Sequence, residues 1–163
     1  MARKVFFSFH YKPDNWRASQ VRNMGVVEGN KPASDNDWES ITGGGSTAIE
    51  RWINNQMNGT SCSVLLIGEN TAGRKWINYE IAKTWNDKKG LVGIYVHNLK
   101  DSDGYQSYKG SNPFAALEVN GKNMSSIVKS YSPPYTNSKD VYAYIHDNIA
   151  DWIEEAIEIR TNF

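Results

Sequence analysis

Ser63-Val64-Leu65-Leu66-Ile67 and Leu91-Val92-Gly93-Ile94-Tyr95-Val96 are short, almost wholly apolar runs, and Arg74-Lys75-Trp76-Ile77-Asn78-Tyr79-Glu80-Ile81 lies between them. The outer two have the length and the branched side chains of strands buried on both faces, as a parallel sheet requires. The middle stretch changes period. Ile77, Ile81 and Trp85 recur every four residues, the core stripe of a helix that runs to about Lys88. A polar turn, Gly68 to Gly73, joins the first strand to that helix. Strand, loop, helix and strand over 63–96 make a βαβ unit, which implies parallel pairing and a right-handed crossover.

Working outward, Val5 to Phe9 reads as a third buried strand, central in the sheet. Ser8, His10 and Tyr11 cluster where it ends, and ligands of open α/β sheets bind beyond the carboxyl ends of strands. The competing reading is a turn whose side chains merely bond the backbone. Asp14 is placed to cap a helix over Trp16 to Met24, with Ala18 and Val21 inward. Gly25 to Glu28 reads as a short strand and Gly29 to Asp37 as a loop.

Trp38-Glu39-Ser40-Ile41-Thr42-Gly43-Gly44-Gly45-Ser46-Thr47 feeds the next helix. Its glycines let the backbone approach a ligand, and a helix N-terminus offers free amides to an anion such as pyrophosphate. The alternative is a flexible connector. Neither the P-loop lysine nor a G-x-G-x-x-G pattern is present. Thr47 and Glu50 have capping-box spacing, and Ile49, Ile53 and Met57 form the helix's apolar stripe.

Beyond the fourth strand, 98–112 reads as a surface loop, Pro113 to Val119 as a short helix or turn, and Ser126 to Lys129 as an edge strand. The longest helix starts at Ser138 or Asp140 and runs to about Arg160, with Val141, Ile145, Ile149, Trp152, Ile153 and Ala156 turned to the sheet. Together these elements give the α/β class: a three-layer sandwich with a central parallel sheet, flavodoxin-like in order, as one domain over 1–163.

Composition narrows the function classes. The 163 residues carry 18 basic and 18 acidic side chains, so no basic excess marks a nucleic-acid or anionic-membrane partner. No run approaches the roughly 20 apolar residues of a membrane helix, and the start lacks the apolar core of a signal peptide. The single cysteine, Cys62, cannot form an internal disulfide and reads as a small buried hydrophobe, which fits a reducing cytoplasm. His10, His97 and His146 show no Cys/His ligand spacing, so no metal is expected. Six Trp and nine Tyr supply surfaces for a core, and also for stacking on flat rings.

Glu80 lies three residues after Ile77 and four after Trp76, on the edge of the apolar stripe. A carboxylate there is half shielded from water. The plain alternative is a solvated helix glutamate bonded to Lys75 or Lys83. Trp76-x-x-x-Glu80, on a helix after an apolar strand and a short loop, resembles the catalytic helix of TIR domains. Lys4-Val5-Phe6-Phe7-Ser8-Phe9-His10-Tyr11, followed by Asn15-Trp16-Arg17-Ala18-Ser19-Gln20-Val21-Arg22-Asn23, resembles the TIR-like proteins of the Thoeris antiphage system, ThsB type. The likeness covers about residues 3 to 100 well and the rest loosely.

That resemblance implies cleavage of the nicotinamide–ribose bond of NAD+, with NAD+ as substrate rather than cofactor and Glu80 as the catalytic carboxylate. The transition state resembles an oxocarbenium ion. Nicotinamide leaves neutral, so one carboxylate suffices to hold the ribose hydroxyls and steady the charge. The substrate-binding candidates are Ser8, Phe9, His10, Tyr11, Gly43, Gly44 and Trp76, and the aromatics Phe9, Tyr11, Trp38 and Trp76 are expected to fold the substrate. Relatives of this kind cyclise the ADP-ribose or join it to an acceptor, giving a diffusible signal for a separate effector. In them the region of the glycine stretch borders the active site and joins in self-association. Residues 98–135 are the expected source of product specificity. The rival readings are a non-enzymatic adaptor domain and a flavodoxin-like nucleotide binder without turnover.

Overall fold

β3 (Cys62–Ile67) and β4 (Gly90–Tyr95) are buried along their whole length and pair in parallel, with Leu65 beside Gly93. Three shorter strands extend the sheet: β1 (Lys4–Ser8), β2 (Glu28–Gly29) and β7 (Ser130–Tyr131). The order is β2-β1-β3-β4-β7, and every pairing is parallel. The computed structural model describes residues 3–30 and 40–163. Its helices include α1 (Tyr11–Arg22), α2 (Gly45–Met57), α3 (Lys75–Asn86) and α4 (Ser138–Thr161).

The strand order is the doubly wound one expected from the sequence, and it puts helices on both faces. Because successive strand residues point to opposite faces, Val5 and Phe7 meet the core that holds Ala18 and Val21 of α1 and Val141, Ile145 and Ile149 of α4. Phe6 packs instead with Ile49, Ile53 and Met57 of α2. Leu65 and Ile67 pack with Ile77 and Ile81 of α3. Ser8 has the parity of Phe6, so it faces α2 and α3. The stripes read for α2, α3 and α4 are all buried, except that Trp85 is half-buried.

Several boundaries differ from the sequence reading, each for a local reason. α1 starts at Tyr11, not near Trp16, and Asp14 is a buried residue of its first turn rather than its cap. His10 holds the N-cap position without a side-chain cap bond, and Pro13 is tolerated because first-turn amides have no intrahelical acceptor. The Thr47–Glu50 capping box does not form. α2 begins at Gly45 with Gly44 as N-cap, so both residues lie inside the helix, exposed. The second strand is Glu28–Gly29, at the end of the stretch read for it. The edge strand is Ser130–Tyr131, after a 3-10 turn over Met124–Ser126. A small hairpin, β5 (Glu118–Val119) with β6 (Lys122–Asn123), turns through Asn120 and Gly121, both at positive φ, where the sequence reading saw no strand. The loop read over 29–37 lies mostly outside the described residues, as does Trp38.

Candidate active site

Four connections meet at the carboxyl edge of β1 and β3. They are the β1–α1 link, the 68–74 turn, the first turns of α3, and the middle of α2. Between them lies a cleft of about 650 Å³, walled by Phe6, Phe7, Phe9, His10, Tyr11, Lys12, Trp52, Ile53, Asn70, Ala72, Gly73, Arg74, Lys75, Trp76, Ile77 and Glu80. This is the size and composition of a small-molecule site, largely apolar with a few convergent polar groups.

Glu80 is the acid in that wall, and it is more deeply set than its spacing indicated. It is 7% exposed and belongs to the buried face of α3. Neither lysine of the plain alternative binds it. Lys83 pairs with Asp87 at 2.9 Å, and the Lys75 ammonium lies 5.0 Å from the centre of the Trp76 ring. Its partner is Ser8, whose hydroxyl donates to Oε1 at 2.9 Å. Ser8 is small, and this is why a carboxylate fits between α3 and the sheet. Burial pushes the Glu80 carboxyl up to about 8, against the smaller downward pull of the Ser8 bond.

The cleft gathers Phe9, His10, Tyr11, Trp76 and Glu80 from the residues singled out in the sequence. Phe9 and Tyr11 stack at 6.2 Å, and Trp76 meets Tyr79 edge-on at 5.5 Å. His10 is half-buried, and burial and then the nearby Arg74 charge lower its pKa, so the ring is neutral at pH 7. Ser8 lies beneath Glu80 and is not part of the wall. Gly43 and Gly44 are exposed and do not line the cleft.

Among the wall residues not expected from the sequence, Lys12, Arg74 and Lys75 form a cationic rim, and Trp52 and Asn70 add an indole and an amide. Arg74 and Lys75 stand in the same quoted stretch as Glu80, where Lys75 reads as a partner for that acid; in the structure both line the mouth of the cleft instead. Cys62 is buried in β3, and its thiol is pushed up to about 12 by burial, which leaves it inert.

The family model described as "Thoeris protein ThsB, TIR-like domain" matches residues 6–101, the segment that supplies every wall residue of the cleft. The chain belongs to the ThsB TIR-like family. It is 38% identical over 122 residues to a Bacillus cereus (strain MSX-D12) protein named "Putative cyclic ADP-D-ribose synthase ThsB1". That match covers 72% of this chain and 64% of the relative, so the chain spans under two thirds of the relative's length. The parallel sheet flanked by helices is the TIR-like form of the flavodoxin-like fold. The Trp76-x-x-x-Glu80 spacing puts an aromatic and a buried acid on one wall of one cleft.

Proposed function

We propose that this chain consumes NAD+, breaking the nicotinamide–ribose bond and converting the ADP-ribose into a cyclic or conjugated nucleotide signal. The observation that carries the reading is the buried Glu80 carboxylate, held by one neutral hydroxyl and opening on a cleft. NAD+ brings a positive pyridinium ring, and its cleavage develops positive charge on the ribose. Near neutral pH the acid on its own is mostly protonated; an arriving pyridinium favours its ionised form, and the desolvated carboxylate then favours both charges more strongly than the same group in water. Among the described residues the wall supplies no carboxylate besides Glu80, which suits a reaction whose leaving group departs neutral. Lys12, Arg74 and Lys75 give the rim the charge a diphosphate requires, and Trp52, Trp76, Phe9 and Tyr11 offer rings for nicotinamide and adenine. Aromatic walls also keep water from the ribose cation while an internal nucleophile closes on it. The name of the Bacillus relative agrees with this chemistry.

Family membership supports the rest of the proposal. The chain works in the cytoplasm as a single TIR-like domain, associates with its own kind on activation, and reaches a separate effector through the diffusible product, without binding nucleic acid or membrane. Glu80→Gln keeps the side chain's shape and removes its charge. It is expected to lower nicotinamide release by about 100- to 1000-fold. Release is measured on purified protein with and without lysate of phage-infected cells, so that a required cue is present in one arm. A Glu80→Gln protein that turns over NAD+ at the parent rate overturns the reading.

A further inference from the structure

Ser8 ends β1, which makes it a substrate-binding candidate by sequence, yet it does not line the cleft. It is 2% exposed, and its hydroxyl is spent on Glu80 Oε1 at 2.9 Å. The same helix turn is tied to the sheet a second time. Thr84 Oγ1 donates to the Glu80 carbonyl at 2.7 Å, and Ser63 Oγ of β3 lies 2.7 Å from Thr84 Oγ1. Glu80 is therefore gripped at both ends by hydroxyls, its carboxylate from β1 and its backbone through Thr84 from β3. Oε2 has no hydrogen-bond partner among the described residues, and it is the oxygen left for a ligand.

We propose that Ser8 is a positioning residue, which holds Oε1 so that Oε2 faces the cleft and which keeps the carboxylate ionisable inside an apolar wall. The proposal rests on the reading of Glu80 given above. No charged partner does this work. The titratable groups that share the cleft wall with Glu80 are His10, Tyr11 and Lys12 from the β1–α1 link and Arg74 and Lys75 from the start of α3. On the same elements Lys83 pairs with Asp87 and the Tyr79 hydroxyl donates to Asn54, and the bond the carboxylate accepts among the described residues comes from Ser8. One neutral hydroxyl thus sets how readily Glu80 loses its proton. Removing it raises the Glu80 pKa further, because the charged form loses the donor it has among the described residues.

The test has a readout that needs no turnover. In protein carrying carbon-13 at the glutamate carboxyl, the Glu80 signal is assigned by its absence from Glu80→Gln and titrated by NMR. Ser8→Ala is expected to move the midpoint up by roughly one pH unit, since one hydrogen bond to a charged group is worth about a factor of ten. Ser8→Thr, which keeps the hydroxyl, is expected to stay near the parent value. In nicotinamide release the acid limb of the kcat profile moves the same way, with KM changed by less than about twofold. Should alanine at this packed position spoil folding, Ser8→Cys keeps the volume with a weaker donor and is expected to fall between parent and alanine. An unmoved midpoint overturns the proposal. So does a raised KM with the pH profile in place, which makes Ser8 a substrate contact. A uniform loss at every pH that threonine does not rescue makes it merely structural and overturns it too. An active Glu80→Gln protein rejects the proposed function instead, and leaves the titration result standing.

Discussion

Among the described residues two acids are buried, and they are buried for different ends. Asp14 is 1% exposed in the first turn of α1, and Glu80 is 7% exposed in α3. Burial raises the pKa of both. Asp14 has its counter-charge built in. Arg17, itself 3% exposed, donates to Asp14 Oδ1 at 2.9 Å. It also donates to the carbonyls of Leu99 at 2.7 Å, Tyr105 at 2.9 Å and Pro13 at 3.1 Å. The pair thereby ties α1 to the loop after β4, and no room is left beside it. A Cβ on Gly68 would lie 2.1 Å from Asp14 Oδ2, so only glycine fits there. Glu80 has a hydroxyl where Asp14 has a guanidinium, and a cleft where Asp14 has packed backbone. A buried acid is therefore not in itself a site. What marks one is a missing counter-charge next to an opening through which a cation can come.

The sharpest way to break this comparison is to take away the cation that Asp14 has. Arg17→Met leaves a buried carboxylate unpaired and removes the guanidinium bonds to the carbonyls of Leu99, Tyr105 and Pro13. We expect a loss of about 3–5 kcal/mol in unfolding free energy, read from urea midpoints. A change below about 1 kcal/mol would show that the pair is not the closed structural unit described.

Neutralising Glu80 is expected to act with the opposite sign, and to do so as a function of pH. Its carboxyl sits near 8 in the fold against an ordinary 4.5, so the folded state holds a proton that the unfolded chain gives up. The stability this contributes is fully present below 4.5, declines as pH rises, and is gone above about 8. Glu80→Gln has no such proton to lose. Its melting temperature is expected to gain on the parent's steadily from about pH 5 to about pH 8, by an amount equivalent to a few kcal/mol at most. Two parallel melting curves across that range would place Glu80 in an environment far wetter than the structure has it.

The same contrast explains what the sequence disclosed. β1, β3, β4 and the stripes of α2, α3 and α4 were legible because each is a strong period of apolar residues. α1 was legible only in part: Ala18 and Val21 turn inward as read, but its start was placed too late, since its buried face also includes Asp14 and Arg17, polar residues that interrupt the hydrophobic rhythm. Their spacing of three within Asp14-Asn15-Trp16-Arg17 was the available signal of a helical ion pair. β2 and β7 have two residues each and carry no period at all. Asn120-Gly121 was a readable hairpin signal that went unused. At the site, Glu80 and Trp76 were legible from one turn of helix. Depth was not. It depends on Ser8, 72 positions away in the chain, being small enough to leave space and polar enough to fill it. The specificity expected of 98–135 finds no support in the cleft, whose wall residues all lie between Phe6 and Glu80.

The smallest expected effect concerns the rim. Arg17 is a cation wholly committed to the fold, whereas Lys75 is exposed, with its ammonium over the Trp76 ring. If the rim serves a diphosphate, Lys75→Gln weakens NAD+ binding without touching the bond that breaks. KM is expected to rise about two- to fivefold with kcat unchanged, because an exposed charge contributes under about 1 kcal/mol. That difference should shrink as salt is raised from roughly 0.05 to roughly 0.5 M, where screening shortens the reach of surface charge to a few ångströms. A fall in kcat instead would move Lys75 from the mouth of the cleft to its chemistry. An effect on KM indifferent to salt would mean that the lysine acts through its stem on Trp76, as packing rather than as charge.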